Sequence, residues 1–372
     1  MKTRPLIPVA NPIISEDEKR RVLEVLHSGM LAAGAQVRAF ERAFADYVGV
    51  RGAVATSSGT TALQVALEAL GIGAGDTVVT TPFTFVATSN AILHVGARPV
   101  FVDVDAQTYN LDPQAVEDAV RRERVRAILC VHLFGLPCDM GALTEIASRH
   151  ELLLIEDCAQ AHGARCRGRQ VGTFGQAGIF SFYPSKNMTT GEGGMVVTND
   201  DQIARRAALL VNVGQNGSDE YVYEVIGYNY RITDIAGALG VGQLQWLDQR
   251  NEIRRQHAAR LSEAFAPLGW LMPPAEPLEC YHVYNQYTVR VLGNRDRLMH
   301  YLAANGIGHR IYYPQLVPHS PAYRRLGFEG RYLVAEVLAA QVLSLPVHPA
   351  LTGDDLERII DTVTRFPGNH ET

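Results

Sequence analysis

The chain has 372 residues, 47% of them hydrophobic and 20% charged, with a net charge of −5 and an isoelectric point near 6.2. That length has room for about two domains, and the mild acidity removes the basic face that a nucleic-acid partner would need. No apolar run reaches the ~18 residues of a membrane span, and the first residues lack the pattern of a secretory leader, so a cytoplasmic protein with no membrane partner is expected.

In chain order, Ser15 and Glu18 have capping-box spacing, and Gly29 sits where the helix they open should close. Short apolar runs then alternate with helical patterns. The expected strands are 52–57, 76–82, 97–105, 126–135, 151–157, 178–184 and 193–199. Helices are expected over 60–70, after Asp112 with Pro113 in its first turn, over 141–150, and after Asn199 as N-cap with Gln202 three residues on. This alternation predicts an α/β fold whose mostly parallel seven-stranded sheet is covered by helices on both faces. From Ile232 to Phe265 the pattern is helical, with Trp246, Ile253, His257, Leu261 and Phe265 at three- and four-residue spacing. The proline-containing stretch 266–277 reads as a connection, and a smaller α/β part follows, with a strand over 284–292 and helices near 295–305 and 331–343. The expected division is a large domain over 1–250 and a small one over 251–372. Cys130, Cys138, Cys158, Cys166 and Cys280 form no CxxC pair and read as reduced core thiols.

Three stretches carry the chemistry. SSGTTAL (57–63) runs from a strand end through a small polar turn into a helix, whose free amides and threonine hydroxyls suit a phosphate, although such residues also cap ordinary helices. IEDCAQAHGA (155–164) puts Asp157 at the C-terminal end of a strand, where open α/β sheets bind ligands. Asp157 there can hold a cationic ring nitrogen, ligate a metal, act as a base, or simply cap a turn. His162 has no second ligand at metal spacing, so no metal site is expected.

The third stretch is FSFYPSKNMTTGEGGMVVTND (180–200). Of 34 basic side chains only three are lysines, and Lys186 is the only one beyond the first twenty residues. Arginine stays protonated, whereas lysine can lose its proton and form a Schiff base, so a chain that otherwise prefers arginine has a chemical reason to keep a lysine here. A phosphate holder, a partner for a pyridinium nitrogen and a Schiff-base lysine are the three parts that a protein supplies to pyridoxal 5′-phosphate. GIGAGD (71–76) follows a helix and lacks GxGxxG spacing, which argues against a dinucleotide site.

These motifs, with ARPVFVDVD and VIGYNYRITDIAGAL, resemble the DegT/StrS sugar aminotransferases, a branch of the fold-type I, aspartate-aminotransferase-like enzymes that use pyridoxal phosphate. The resemblance runs from about Ile14 to the C-terminus. It implies that Lys186 holds the cofactor covalently as a Schiff base and that Asp157 partners its ring nitrogen. Gln160 would stand near the ring hydroxyl, and Phe85 would stack on the ring. Gly59, Thr60 and Ser181 would hold the phosphate. Asn229 would reach the phosphate from a neighbouring subunit, which implies a homodimer with shared sites. The implied donor is L-glutamate or L-glutamine, and the implied acceptor is the keto group of a nucleotide-linked deoxysugar. Arg231, His309, Arg310, Tyr313 and His319 are the candidate substrate contacts; relatives more often show Pro-Leu-His where this chain has QLVPH. A histidine in place of the lysine would point to dehydration, so Lys186 favours transamination. The competing readings are an aminotransferase for a keto-cyclitol or other ketone, and a regulatory protein that binds pyridoxal phosphate without turnover.

Overall fold

The computed structural model describes residues 5–216 and 221–367. All seven expected strands of the large sheet form: β1 (Gly52–Thr56), β2 (Thr77–Thr80), β3 (Arg98–Phe101), β4 (Ala127–Val131), β5 (Leu153–Asp157), β6 (Ala177–Ser181) and β7 (Gly194–Thr198). Their order is β1-β7-β6-β5-β4-β2-β3, parallel from β6 through β3, with β7 antiparallel to both of its neighbours. β4 and β7 are buried throughout, as expected of strands covered on both faces.

The helices show how locally the sequence acts. α1 (Glu16–Ser28) has both bonds of its capping box, and Gly29 ends it in the left-handed conformation. α2 (Ala35–Val48) packs Phe40 and Phe44 against Phe180 and Phe182 of the sheet. α3 (Gly59–Ala69) begins at the polar turn after β1, and α4 (Ala87–His94) follows the PFTF stretch. α5 (Pro113–Arg122) has Asp112 as N-cap, and α6 (Met140–Arg149) precedes β5.

At α7 (Asp201–Val211) the expected cap is corrected. Asp200, not Asn199, accepts the Gln202 and Ile203 amides, while Asn199 accepts the Arg51 amide across the sheet edge. Both residue types cap well, and the one whose side chain was not already taken by a neighbouring strand does so.

The helical stretch expected over 232–265 is two helices, α8 (Asp234–Gln245) and α9 (Leu247–Phe265). They meet at Trp246, which is 43% exposed and therefore is not part of the apolar stripe. The buried side of α9 instead runs through Leu247, Asn251, Arg254, Ala258, Leu261 and Phe265. α9 passes unbroken through residues 250 and 251. The stretch 266–277 contributes β8 (Leu271–Met272), which pairs with β9 (Tyr287–Val291); β9 pairs in turn with β10 (Val342–Leu345). β10 begins inside the helix expected over 331–343, which stops at Gln341. This small sheet, with helices Arg295–Ala304 and Gly353–Thr364, encloses a separate apolar core that includes Ile7, Phe265, Tyr287, Leu298 and Ile359. Among the described residues no helix is long and apolar enough to cross a membrane. The five cysteines are free thiols.

Candidate active site

The C-terminal ends of the parallel strands converge on Lys186 and Asp157. Asp157 ends β5, is 4% exposed, and has both oxygens fixed: the Ala159 amide donates to Oδ1 (3.1 Å) and the Thr88 hydroxyl to Oδ2 (2.8 Å). Thr88 in turn lies 3.1 Å from the Thr84 hydroxyl. Burial pushes the Asp157 pKa up, while the Ala159 amide, the Thr88 hydroxyl and the charge of Lys186 pull it down; the net direction is upward. Lys186 lies in the turn after β6, its amide bonded to the Tyr183 carbonyl at 2.9 Å. The residue is partly exposed, and burial lowers its amine from 10.5 to about 8 against the opposing pull of Asp157. A buried acid and a lysine with a lowered pKa, each sensing the other, are what a site for covalent carbonyl chemistry requires.

The turn into α3 leaves donors for an anion. The Ser58 side chain takes the Thr61 amide (3.2 Å), and the Ser58 carbonyl takes the Ala62 amide (3.0 Å). The Thr61 hydroxyl closes the capping box on Ser58, which leaves the Gly59 and Thr60 amides in the first turn for a ligand. Gly59 is required there, because a Cβ would stand 2.7 Å from Cβ of Ser181. Gly194, on β7, passes beneath the same turn so closely that a Cβ would stand 2.3 Å from the Ser58 carbonyl oxygen. The glycines of GEGG therefore bring β7 against the phosphate-type turn.

Gln160 is 7% exposed and its amide orientation is fixed. Oε1 accepts the Phe134 amide at 2.6 Å, and Nε2 donates to the Tyr313 hydroxyl at 3.0 Å. Tyr313, raised in pKa chiefly by burial, comes from the segment before β10 and brings its hydroxyl to Gln160. Its ring centroid is 6.3 Å from that of Phe85, which is 56% exposed and offers a free aromatic face. Of the substrate candidates, Tyr313 alone bonds to one of these residues. Arg231 is exposed and donates to Oδ1 of Asn212 (2.9 Å), and Asn229 is exposed with its backbone paired to Asn212. His309 bonds to the Ile307 carbonyl, the Arg310 backbone pairs with Ser344, and the His319 ring bonds to the Gly330 carbonyl (2.9 Å).

Several residues that hold the site were invisible to motif reading. Three buried asparagines link the lysine loop to α9 and to the segment before β9. Asn285 donates to the Ser185 carbonyl (3.1 Å) and to Oδ1 of Asn187 (2.9 Å). Asn187 donates to Oδ1 of Asn251 (2.7 Å) and to the Val283 carbonyl (3.0 Å), and Asn251 donates to the His162 carbonyl (2.8 Å). Because Ser185 and Asn187 flank Lys186, this chain fixes the base of the lysine. The sequence signal was only Asn187 beside Lys186; its partners are distant in the chain. Truncating Asn285 to alanine is expected to leave the fold intact, slow turnover about tenfold, and change kcat far more than donor KM. Stopped-flow kinetics beside a Tm measurement checks this, and Asn285→Gln or Asn285→His recovering part of the rate would support a positioning role.

The His162 ring is fully buried between Phe180 and Phe182, with its pKa lowered to about 3 by burial, so it is a neutral core side chain. One group that sequence reading did not assemble has metal-like composition: His132, Glu156 and Cys158, with ligand atoms within 4.8 Å of one another. Its hydrogen bonds argue for a structural role. The Glu156 carboxylate accepts the amides of Gly172 (2.7 Å), Phe174 (2.7 Å) and Gly175 (2.8 Å), and lies 3.1 Å from Nε2 of His132. Nδ1 of His132 accepts the Cys138 amide at 3.0 Å, so Nε2 carries the proton given to Glu156. Glu156 thus folds the 172–175 turn onto the sheet, one residue from Asp157. Replacing it with alanine strands one buried amide, at about 1–3 kcal/mol, and two half-buried ones that cost less because water can reach them. The expected loss is about 2–4 kcal/mol, read from urea unfolding of the cofactor-free protein.

The family model described as the DegT/DnrJ/EryC1/StrS aminotransferase family matches residues 12–364. The chain is 40% identical to GDP-perosamine synthase of Caulobacter vibrioides, over 97% of this chain and 98% of that one. It is 41% identical to dTDP-3-amino-3,4,6-trideoxy-alpha-D-glucose transaminase of Streptomyces venezuelae, over 93% of this chain and 90% of that protein. Among solved structures, S. venezuelae DesV in complex with a ketimine intermediate matches with a TM-score of 0.94 and 38% identity, covering 99% of this chain and all of that one. Matched from its first helix to its last, and along nearly its whole length by these relatives, the chain belongs to the DegT/DnrJ/EryC1/StrS aminotransferase family.

Proposed function

We propose that this aminotransferase uses pyridoxal 5′-phosphate, held covalently by Lys186, to move an amino group from L-glutamate or L-glutamine to the keto group of a nucleotide-linked deoxysugar. The observation that carries the reading is the pair formed by Lys186, with its amine lowered to about 8, and the fixed, buried carboxylate of Asp157. The group fits the residues present: two unclaimed amides at the start of α3 suit its phosphate, and Phe85 offers a ring face. When bound, the cofactor supplies an electron sink for carbanion chemistry at the donor's α-carbon.

The chain's own residues do the rest. Gly59, Thr60 and Ser181 bind and orient the phosphate. Phe85 and Gln160 fix the tilt of the ring. Asp157 holds a proton on the ring nitrogen with a negative charge that Thr88 and the Ala159 amide keep in place. Lys186 would move a proton at the donor's α-carbon, a task for which a pKa near the working pH suits it. Tyr313 screens the cleft and is the first candidate for the acceptor; Arg231, His309, Arg310 and His319 are the further substrate candidates. In a homodimer with shared sites the exposed Asn229, whose backbone is paired with Asn212, would reach the phosphate bound by the second copy. The separate core of the small sheet supports two domains, although α9 spans the expected boundary at 250/251 and Ile7 packs into the smaller core.

The test is the visible spectrum of purified protein. A cofactor band that bleaches on adding L-glutamate or L-glutamine, and returns with a nucleotide-linked ketosugar but not with a keto-cyclitol, supports the proposal. A band indifferent to every amino donor would favour the regulatory reading.

A further inference from the structure

Cys166 and Cys280 lie directly opposite each other on adjacent antiparallel strands, in a three-stranded ribbon beside the main sheet. The flanking bonds show which kind of pair this is. The Arg167 amide donates to the Glu279 carbonyl at 2.7 Å, while the Cys280 amide turns away to the Pro277 carbonyl at 2.9 Å. Cys166 and Cys280 therefore occupy a non-hydrogen-bonded position, where facing Cα atoms are about 4.5 Å apart and side chains stand closest. That spacing lies at the short end of the Cα range of disulfides. The alignment is well held, since Arg167 also donates through Nε to Glu279 (2.7 Å) and Arg255 lies over the Tyr281 ring at 4.2 Å. Cys166 is 4% exposed, Cys280 is half-buried, and the Arg167 and Glu279 side chains beside them are open to solvent. Cys130, Cys138 and Cys158, by contrast, are fully buried.

We propose that Cys166 and Cys280 form a redox-modification site, closing a reversible cross-strand disulfide with a low-molecular-weight disulfide such as oxidised glutathione as oxidant. One thiolate attacks the reagent and releases one thiol. The second attacks the mixed disulfide so formed and releases the other. Two protons leave the protein, and two electrons reduce the reagent to two thiols. The bond would join two segments that reach the active site. In the chain Cys166 follows Gln160 and His162, and Cys280 precedes Asn285, which holds the lysine loop. It would also enclose Lys186 within the covalent loop.

Burial and the neighbouring Cys166 push the Cys280 thiol up to about 12, and burial raises Cys166 as well. Closure is therefore slow at neutral pH and speeds as pH rises.

The full-length holoenzyme is incubated at graded ratios of oxidised to reduced glutathione, quenched with an alkylating agent, and mapped by non-reducing peptide mass spectrometry. The expected result is a Cys166–Cys280 linked peptide that forms faster at about pH 9 than at about pH 7 and vanishes with dithiothreitol. Oxidised wild type should also melt several degrees above reduced, with no such rise in Cys280→Ser. Finding both thiols alkylated separately at every ratio in folded protein, or Cys280 only as a glutathione adduct, overturns the proposal.

Discussion

Replacing Lys186 with arginine is expected to abolish the visible band of attached cofactor and to lower turnover by roughly 10^4-fold or more, with little change in Tm. Arginine keeps the positive charge and much of the length, so it preserves whatever the lysine contributes by attraction to Asp157 alone. It cannot give up its proton to become a nucleophile or a base. A variant that kept the band or the rate would show that Lys186 serves only as a charge. The lowered pKa adds a second readout that concerns the amine itself. In cofactor-free protein the neutral amine accumulates as pH rises through about 8, whereas an unperturbed lysine would still be almost wholly protonated there. The rate of loading with pyridoxal phosphate should rise with pH and level off above about 9. A rate still climbing about fivefold per unit near pH 10 would mean that the amine is not desolvated as the structure indicates.

The parts of the fold that were legible in the sequence are those decided by neighbours in the chain. All seven strands of the main sheet, the Ser15 capping box, the Gly29 terminus and the Asp112 cap depend on short-range pattern and capping chemistry. The misreadings came where a distant partner decided the outcome. Asn199 lost its cap to Asp200 because its side chain was already engaged with Arg51. Leu343 left its helix for a strand because β9 was there to pair with it. Trp246 looked like part of an apolar stripe but marks the joint between two helices. In the site, Lys186, Asp157 and the Gly59 turn stood out because their chemistry is written in local motifs. The asparagine chain, the Thr88 contact to Asp157 and the Glu156 turn did not, since each joins residues that meet only after folding.

That division bears on what a substitution at Asp157 would do. In Asp157→Asn the new side-chain amide can still accept the Thr88 hydroxyl or the Ala159 amide, so packing and strand register should survive and Tm should move by no more than a few degrees. What is lost is the fixed negative charge in a site where burial already raises the carboxyl's pKa. The neutral amide of Asp157→Asn would no longer hold a proton on the ring nitrogen of the proposed cofactor, and the electron sink that the cofactor would supply would be weakened as charge develops at the α-carbon. The loss should therefore fall on kcat, by about 10^3-fold, with donor KM changed only slightly. The band of bound cofactor should persist but shift, unlike in the Lys186 variant, because covalent attachment does not need the acid. Asp157→Ala should be worse in both respects, since it also leaves the Thr88 hydroxyl without its acceptor in a buried position. A small change in kcat for Asp157→Asn, with the spectrum unaltered, would assign Asp157 to holding the β5 turn and remove it from the chemistry.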